Sequence, residues 1–488
     1  MGVITFGTSG YRGIVGETFT QKEVLAIGHG VGQWLSSQTP NPHVVIACDP
    51  RTGNDPGLGE NSFTRDVVMA LLEEGVDVDV FDHFAPTPMA AWYIQEHALS
   101  GALILTASHN PPSYNGIKFN PSNGAPAPTS ITSAIEALAN AWLQHPTQTP
   151  KAEKPGHLRK VSAIGAFAEA LIDRLNDHCD LDLDFLGFPL AGDVKYGTAG
   201  PVWDALIRSL DIQQASILHE EPRADFGNID PNPTKLETLG DLKLHQHALK
   251  APLAFANDPD ADRHVLLDEN GEALTPEETA VILMDYFLSK NIPVSGMVTT
   301  VASSGLVKRA AAANNLAFIE TPVGFKYFAP YFEAASKAEE VVIGVESSGG
   351  ISFSFHIPEK CGFMPVLAAL FLVKETGHPL SYWRRRIHSQ YGHSIFKEVS
   401  FPFNPDARQT LVDRFNTPDT HAIQTHFSEP LAETQTQDGL KLVFSSGAWV
   451  LFRLSGTEPI GRLYVEASTE ALTDALLTEA THFLGALQ

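Results

Sequence analysis

Three observations predict an α/β fold built from several domains. The chain has 488 residues, more than one hydrophobic core organises, and its length fits three or four domains. Short apolar runs alternate with stretches of helical periodicity, which is the rhythm of βαβ units. Four apolar runs, Val45–Asp49, Leu190–Asp193, Leu253–Asp258 and Val342–Glu346, pass directly into an acidic loop. That recurrence is either an echo of related α/β units or the ordinary habit of strands to end in polar loops.

The elements follow in order. Val44–Cys48 reads as a buried strand ending in Asp49-Pro-Arg51-Thr-Gly, followed by helical periodicity over Thr64–Leu72 and a strand over Val76–Phe81. Gly101–Leu105 is another buried strand, and it stops abruptly at Thr106-Ala-Ser108-His109-Asn-Pro111. The stretch His145–Pro155, rich in Pro, Thr and Lys, reads as a linker. A second unit has a strand at Pro189–Asp193. A third follows the turn Asp268–Gly271 and contains strands at Gly296–Val301 and Val341–Gly344. A last unit begins between Ser389 and Pro405. The expected divisions are 1–150, 155–265, 266–385 and 386–488.

Composition excludes some classes. With 33 Lys and Arg against 57 Asp and Glu, the net charge of −24 argues against nucleic acid or an anionic membrane as partner. A small anionic substrate stays open, because screening over about 8 Å lets a few local cations dominate a cleft. The apolar run Phe363–Val373 is too short to span a bilayer and is interrupted by Pro365. The start, Met-Gly-Val-Ile-Thr-Phe, lacks the basic region of a signal peptide. Cys48, Cys179 and Cys361 fit neither a disulfide framework nor a zinc site. A cytoplasmic location is expected.

Five loops carry candidate chemistry. In the first, Ser108 offers a hydroxyl beside His109, at the carboxyl end of a strand where ligands collect in α/β folds. In Asn257-Asp258-Pro-Asp260-Ala-Asp262-Arg263, three alternating carboxylates can converge on one hard cation. An EF-hand would need glycine where Arg263 stands and helices where strands are expected. A solvated acidic loop without a metal is the alternative. Gly344-Val-Glu346-Ser-Ser348-Gly-Gly350 pairs a carboxylate with a hydroxyl. In extended backbone Glu346 and Ser348 would share a face suited to vicinal sugar hydroxyls, and a plain turn is the alternative. Arg453-Leu-Ser455-Gly456-Thr457-Glu-Pro459 joins two expected strands and, with Arg462, has the ingredients of a phosphate cradle or of a hydroxyl-rich hairpin. Phe6–Gly13 is a further Gly/hydroxyl/Arg loop ending at Arg12, or a flexible terminus. Lys118 lies ten residues after Ser108 and reads either as its neighbour or as a surface lysine. His356 and Lys360 add two cationic candidates.

Taken in order, these loops resemble the α-D-phosphohexomutase family along the whole chain. Its pattern G-T-S-G-x-R-G is matched at Gly7–Gly13, T-A-S-H-N-P at Thr106–Pro111, D-x-D-x-D-R at Asp258–Arg263, E-x-S-G at Glu346–Gly349 and R-x-S-G-T at Arg453–Thr457. The resemblance implies four domains around a central cleft: three related α/β domains with mixed sheets, and a C-terminal α+β domain. It implies reversible conversion of hexose 1-phosphate and hexose 6-phosphate through a phosphoserine and a hexose 1,6-bisphosphate. Ser108 would carry the phosphoryl group. Asp258, Asp260 and Asp262, with the Ser108 phosphate, would hold Mg²⁺. Lys118 would handle the proton, with His109, Arg12 and Arg263 beside it.

The resemblance assigns Gly324, Glu346, Ser348 and Lys360 to the sugar, and Arg453, Ser455, Gly456, Thr457 and Arg462 to the distal phosphate. Glucose 1,6-bisphosphate would be activator and intermediate. Leu454, the segment Thr321–Tyr327 and Glu359-Lys360-x-Gly362 lean towards glucose, whereas Val345, Ser347 and Cys361 depart from the usual residues and keep mannose open. A glucose-1,6-bisphosphate synthase on the same scaffold is the alternative, and a non-catalytic sugar-phosphate sensor is a more distant one. The partners expected are small hexose phosphates, acting on a monomer or homodimer.

Overall fold

The computed structural model describes residues 3–146, 152, 154–179, 187–455 and 460–487. It forms two compact units, Met1–Ser295 with Phe325–Arg384, and Gly296–Gly324 with Arg385–Gln488. The linker expected at 145–155 falls largely outside the described residues.

In the first unit a six-stranded sheet runs Tyr11–Ile14, Tyr114–Pro121, Gly101–Leu105, His43–Cys48, Asp77–Phe81, Leu158–Val161. His43–Cys48 pairs parallel with strands on both sides, and Tyr114–Pro121 returns antiparallel, so the sheet is mixed. Every residue of Gly101–Leu105 is buried, the signature of a strand covered on both faces. The covering helices are marked locally. Thr20 caps Gln21–Gln38 with Glu23 completing a capping box, and Ser62 caps Phe63–Glu73. Their apolar faces bury Val24, Ile27, Val31, Val67 and Leu71 against the sheet's Val44, Ile46 and Leu103. The parallel strands therefore deliver the loops after Cys48 and Leu105 to one edge, where Asp49 N donates to Leu105 O at 3.0 Å.

A four-stranded sheet runs His264–Leu267, Ala254–Asn257, Leu190–Asp193, Ala215–Leu218. Ala254–Asn257 lies parallel to Leu190–Asp193 and antiparallel to His264–Leu267, with Asn257 opposite His264. The acidic loop 258–263 is thus the connection of a hairpin, held at both ends by sheet.

Asp193, at the carboxyl end of its strand, accepts from Lys195 N at 2.9 Å and from His219 Nδ1 at 2.8 Å, and pairs with Lys195 Nζ at 2.9 Å. Burial alone would raise its pKa, but His219 and Lys195 hold it below the usual carboxylate range. A carboxyl lowered by folding stabilises above its unfolded pKa of about 4, and that contribution is lost as pH falls through the lower folded value. Urea midpoints measured from pH 5 down to pH 3 are therefore expected to fall more steeply in wild type than in Asp193→Asn. Parallel slopes would remove Asp193 from the acid response.

Also in the first unit, Val341–Val345 and Ile351–Phe353 form an antiparallel pair around the loop Glu346–Gly350. Met364–Thr376 is a helix buried on nearly all sides. Pro365 does not interrupt this apolar run but opens it, because a first-turn N–H would have no intrahelical partner. No described helix is long and apolar enough to cross a membrane. Cys48 and Cys361 are buried free thiols, and the Cys179 side chain lies outside the described residues.

In the second unit Gly296–Thr300 pairs parallel with Ala317–Thr321. A five-stranded antiparallel sheet runs Ile395–Pro402, Ile460–Ala467, Trp449–Leu454, Leu440–Phe444, Leu431–Gln435. Leu476, Ala480 and Phe483 of the last helix bury against Val450, Phe452 and Val465, giving the α+β arrangement expected of the C-terminal region.

Candidate active site

Ser108 sits three residues beyond the end of a buried strand, with φ +53°. A residue with a Cβ is strained in this left-handed region and stays there only when its surroundings dictate it. Here they do. Thr106 Oγ1 accepts from Ser108 N at 2.8 Å and donates to Asp49 Oδ2 at 2.6 Å. Arg51, itself buried, pairs with Asp49 at 3.1 Å and donates to the carbonyls of Ser108, Asn110, Pro111 and Tyr114. One guanidinium gathers four carbonyls of the serine loop. Arg51→Lys is expected to lower unfolding stability by about 3–5 kcal/mol, because an ammonium cannot reach all four and leaves Asp49 poorly paired in the interior. An unchanged urea midpoint would contradict this.

Ser108 Oγ donates to Asp258 Oδ2 at 2.9 Å and lies 3.4 Å from His109 Nδ1. Asp258, Asp260 and Asp262 are all buried, each offering one carboxylate oxygen within 4.8 Å of the others. This rules out the solvated acidic loop. Lys118 is likewise no surface lysine. It is 5% exposed, and its Nζ donates to Asp260 Oδ2 at 2.6 Å and Asp262 Oδ2 at 2.9 Å. Lys360 Nζ lies 3.3 Å from Asp262 Oδ2 and 3.1 Å from Glu359. Arg263 N donates to Asp258 Oδ1 at 3.0 Å, and its Nε lies 3.6 Å from Asp262.

The electrostatics follow from burial and crowding. Burial, then the charges of Asp260 and Asp262, push the Asp258 carboxyl well above its ordinary pKa. Burial would raise Asp262 too, but Lys118 and Lys360 hold it far below the ordinary range. Burial would lower Lys118, yet Asp260 and Asp262 raise it, so it keeps its proton. Burial and Arg263 bring Arg12 down to about 10. Asp260 Oδ1 and Asp262 Oδ1 are buried without a hydrogen-bond partner among the described residues. Two unsatisfied carboxylate oxygens beside a third carboxylate suit a hard divalent cation, which takes oxygen ligands and keeps positions for a phosphate. The chemistry of the donor set therefore fits Mg²⁺.

The N-terminal loop closes on the same place. Arg12 Nη1 donates to Asn110 Oδ1 at 2.6 Å. Thr8, Ser9 and Gly10 line a void of about 20 Å³ with Lys118, Glu359 and Lys360. Gly10 has φ +103°, and a Cβ there would stand 2.5 Å from Ile117 O, so only glycine lets this loop approach the strand carrying Lys118.

The loop Glu346–Gly350 is not extended. Glu346 N donates to Gly350 O at 2.9 Å and Gly349 N to Glu346 O at 3.1 Å, so residues 347–349 form a turn. Glu346 and Ser348 still meet, with Ser348 Oγ 3.5 Å from Glu346 Oε2, but through the turn rather than strand alternation. Burial raises the Glu346 carboxyl despite Lys360 nearby. A Cβ on Gly350 would lie 2.2 Å from Lys360 Cδ, so this glycine clears the path of the lysine.

The second unit carries the other expected residues. Arg453 and Arg462 stand directly opposite on neighbouring antiparallel strands. Two cations in that position repel, and each is held by its own acid: Arg453 Nε donates to Asp438 Oδ2 at 2.8 Å, and Arg462 donates to Glu398. Asp438 Oδ2 also accepts from Val323 N at 2.9 Å, tying the residue before Gly324 to the arginine strand. Arg408 Nη1 donates to Ser455 O at 2.7 Å. Gly456 and Thr457 lie outside the described residues.

Sequence reasoning missed Thr87, Asp438 and Arg408. Thr87 Oγ1 donates to Asp260 Oδ2 at 2.7 Å and its N to Asp260 O at 2.9 Å, yet it belongs to no recognisable pattern. Arg51 had a signal, since it follows a strand in the same way as the metal-type loop.

Four family models match in succession: phosphoglucomutase/phosphomannomutase alpha/beta/alpha domain I at residues 3–145, domain II at 169–271, domain III at 275–391 and the C-terminal domain at 412–482. A phosphoglucomutase/phosphomannomutase of Thermococcus kodakarensis is 30% identical, covering 95% of both chains. A phosphoglucosamine mutase of Halalkalibacterium halodurans is 27% identical, covering 97% of this chain and 96% of its own. A solved phosphoglucomutase/phosphomannomutase family protein of Burkholderia thailandensis shares the fold with TM-score 0.79 at 20% identity, over 99% of this chain and 97% of that one.

Proposed function

The chain belongs to the phosphoglucomutase/phosphomannomutase family of phosphate-moving enzymes, and from that premise we propose that it interconverts hexose 1-phosphate and hexose 6-phosphate through phospho-Ser108, with glucose favoured and mannose accepted. The observation that carries this reading is Ser108 itself: a buried hydroxyl on strained backbone, 2.9 Å from one of three clustered carboxylates.

The phosphoryl group on Ser108 passes to a free hydroxyl of the bound sugar phosphate. The O–P bond to serine breaks as the bond to the sugar oxygen forms. The sugar hydroxyl loses its proton, and Ser108 is left as the hydroxyl. The hexose 1,6-bisphosphate turns over in place, and its other phosphate returns to Ser108. Asp258, Asp260 and Asp262, with the Ser108 phosphate, are the residues that would hold Mg²⁺, which when bound offsets charge on the transferring group. Arg263 and Arg12 add fixed positive charge on the same side.

Lys118 is the proton carrier in this reading. It keeps its proton while Asp260 and Asp262 accept from it, and a Lys118 turned away from them loses the two charges that raise its pKa. It then yields its ammonium proton to the departing Ser108 oxygen and, as the neutral amine, takes the proton of the attacking hydroxyl, so that the proton count balances. His109 lies near enough to the serine oxygen to orient it. Glu346 and Ser348 read sugar hydroxyls, with Lys360 near Glu346, and Gly324 of the second unit keeps the sugar role that the resemblance assigns it. Arg453, Ser455, Gly456, Thr457 and Arg462 hold the distal phosphate.

A coupled assay on glucose 1-phosphate, mannose 1-phosphate and glucosamine 1-phosphate, with and without glucose 1,6-bisphosphate, tests the reading. Glucose 1-phosphate is expected to turn over fastest and to need the bisphosphate. Net release of bisphosphate in place of hexose 6-phosphate would replace it with a synthase. No turnover of any of the three would end it.

A further inference from the structure

The segment after the strand Ile351–Phe353 runs past two places of different chemistry. Its later residues, Glu359 and Lys360, stand beside Asp262. Its earlier residues, Ser354–His356 and Pro358, form one wall of a separate cavity of about 650 Å³. The other walls come from the end of the helix Thr87–Glu96, from Ser122 and Asn123, from Arg174 of the helix Ile164–Cys179, and from the helix Ala329–Lys337. A volume of this size is that of small-molecule sites, and no residue of the proposed reaction lines it.

The polar groups on these walls favour an anion. Arg174 Nη1 donates to His356 O at 2.5 Å and lies 3.3 Å from His356 Nδ1. A guanidinium only donates, so Nδ1 accepts and the proton of the neutral ring sits on Nε2. That Nε2 is buried and has no hydrogen-bond partner among the described residues, and the residue is 4% exposed. Burial and the Arg174 charge hold the ring well below its ordinary pKa, so Nε2–H remains a neutral donor rather than an imidazolium. Nε2 is closed off from the cavity, so the ring's part is to hold Arg174 in place on the wall. The side chains of Lys337 and Ser122, also on the walls, have no hydrogen-bond or ion-pair partner among the described residues. One carboxylate, Glu333, faces the same space, but Asn123 Nδ2 donates to it at 2.9 Å. Among the lining residues two cations stand against one engaged carboxylate, with Glu96 acting on Arg174 from outside the walls, on a chain of net charge −24. Donors arriving from separate walls match the three oxygens of a phosphate better than the planar pair of a carboxylate.

We propose that this cavity binds a small phosphate monoester, with Arg174 and Lys337 on the phosphate. Occupancy reaches the sugar site through the short run from His356 to Lys360. That second statement rests on the mutase reading, whereas binding itself does not.

Calorimetric titration of the whole chain with glycerol 3-phosphate tests the site. One binding phase is expected to weaken about tenfold or more in Lys337→Gln and in Arg174→Gln, and to be unaffected by Arg453→Gln. Lys337 is exposed on its helix, so its variant remains informative even if Arg174→Gln fails to fold. No binding, a phase indifferent to Lys337, or a phase lost only with Arg453 would each overturn the assignment. In turnover assays glycerol 3-phosphate should change the KM for glucose 1-phosphate more in wild type than in Lys337→Gln, and equal changes would overturn the coupling. A protein that turns over no hexose phosphate yet keeps the Lys337-dependent phase would sink the mutase reading alone.

Discussion

Ser108→Ala is expected to reduce hexose phosphate turnover by about 10⁴-fold or more, since removing a nucleophile leaves only binding and electrostatic stabilisation. The variant should still bind glucose 6-phosphate with affinity near wild type, because the sugar and distal-phosphate residues are untouched. It should also be folded. Alanine avoids no strain at φ +53°, but the loop is fixed by Arg51 and Thr106 rather than by the serine hydroxyl. The measurement is kcat alongside calorimetric affinity. Loss of both together would point to a collapsed loop, and preserved kcat would remove Ser108 from the chemistry.

The second large effect separates Lys118 from the carboxylates it touches. Lys118→Met is expected to lower kcat by about 10²–10⁴-fold, the range for loss of a positioned acid or base. It should not weaken Mg²⁺ binding, and should strengthen it. The lysine ammonium occupies Asp260 Oδ2 and Asp262 Oδ2, so its removal leaves three buried carboxylates with less competing positive charge. Asp260→Asn is expected to act oppositely on the metal, weakening Mg²⁺ binding while also lowering kcat, because it removes a charged ligand. Titrating Mg²⁺ into each variant distinguishes them. If both substitutions weaken the metal equally, Lys118 serves the cation site and not the proton.

Much of this was legible in the chain because it depends on local chemistry. Gly101–Leu105 is apolar without alternation and therefore buried, and the loop beyond it has nowhere to go but the sheet edge. The Asp258–Arg263 loop was legible for the same reason, with strands marked on either side. Other features depend on contacts that no local pattern encodes. Thr87 reaches Asp260 from 173 positions away, and Asp438 joins Val323 to Arg453. The turn at 347–349 was one of two readings the sequence left open, because Glu346 follows an extended strand, while the backbone hydrogen bonds that decide for the turn are closed by glycines that free the chain to reverse. Pro365 was misjudged for a positional reason: the same residue breaks a helix in its middle and opens one at its start.

The central claim is that the protein stores a phosphoryl group on one named oxygen. Intact mass measured after incubation with glucose 1,6-bisphosphate reads it directly. The expected result is the mass of a single added phosphoryl group on the wild-type chain, located to Ser108 by fragmentation, removed by excess hexose monophosphate, and absent from Ser108→Ala. An unmodified wild-type chain that nevertheless converts glucose 1-phosphate to glucose 6-phosphate would contradict it.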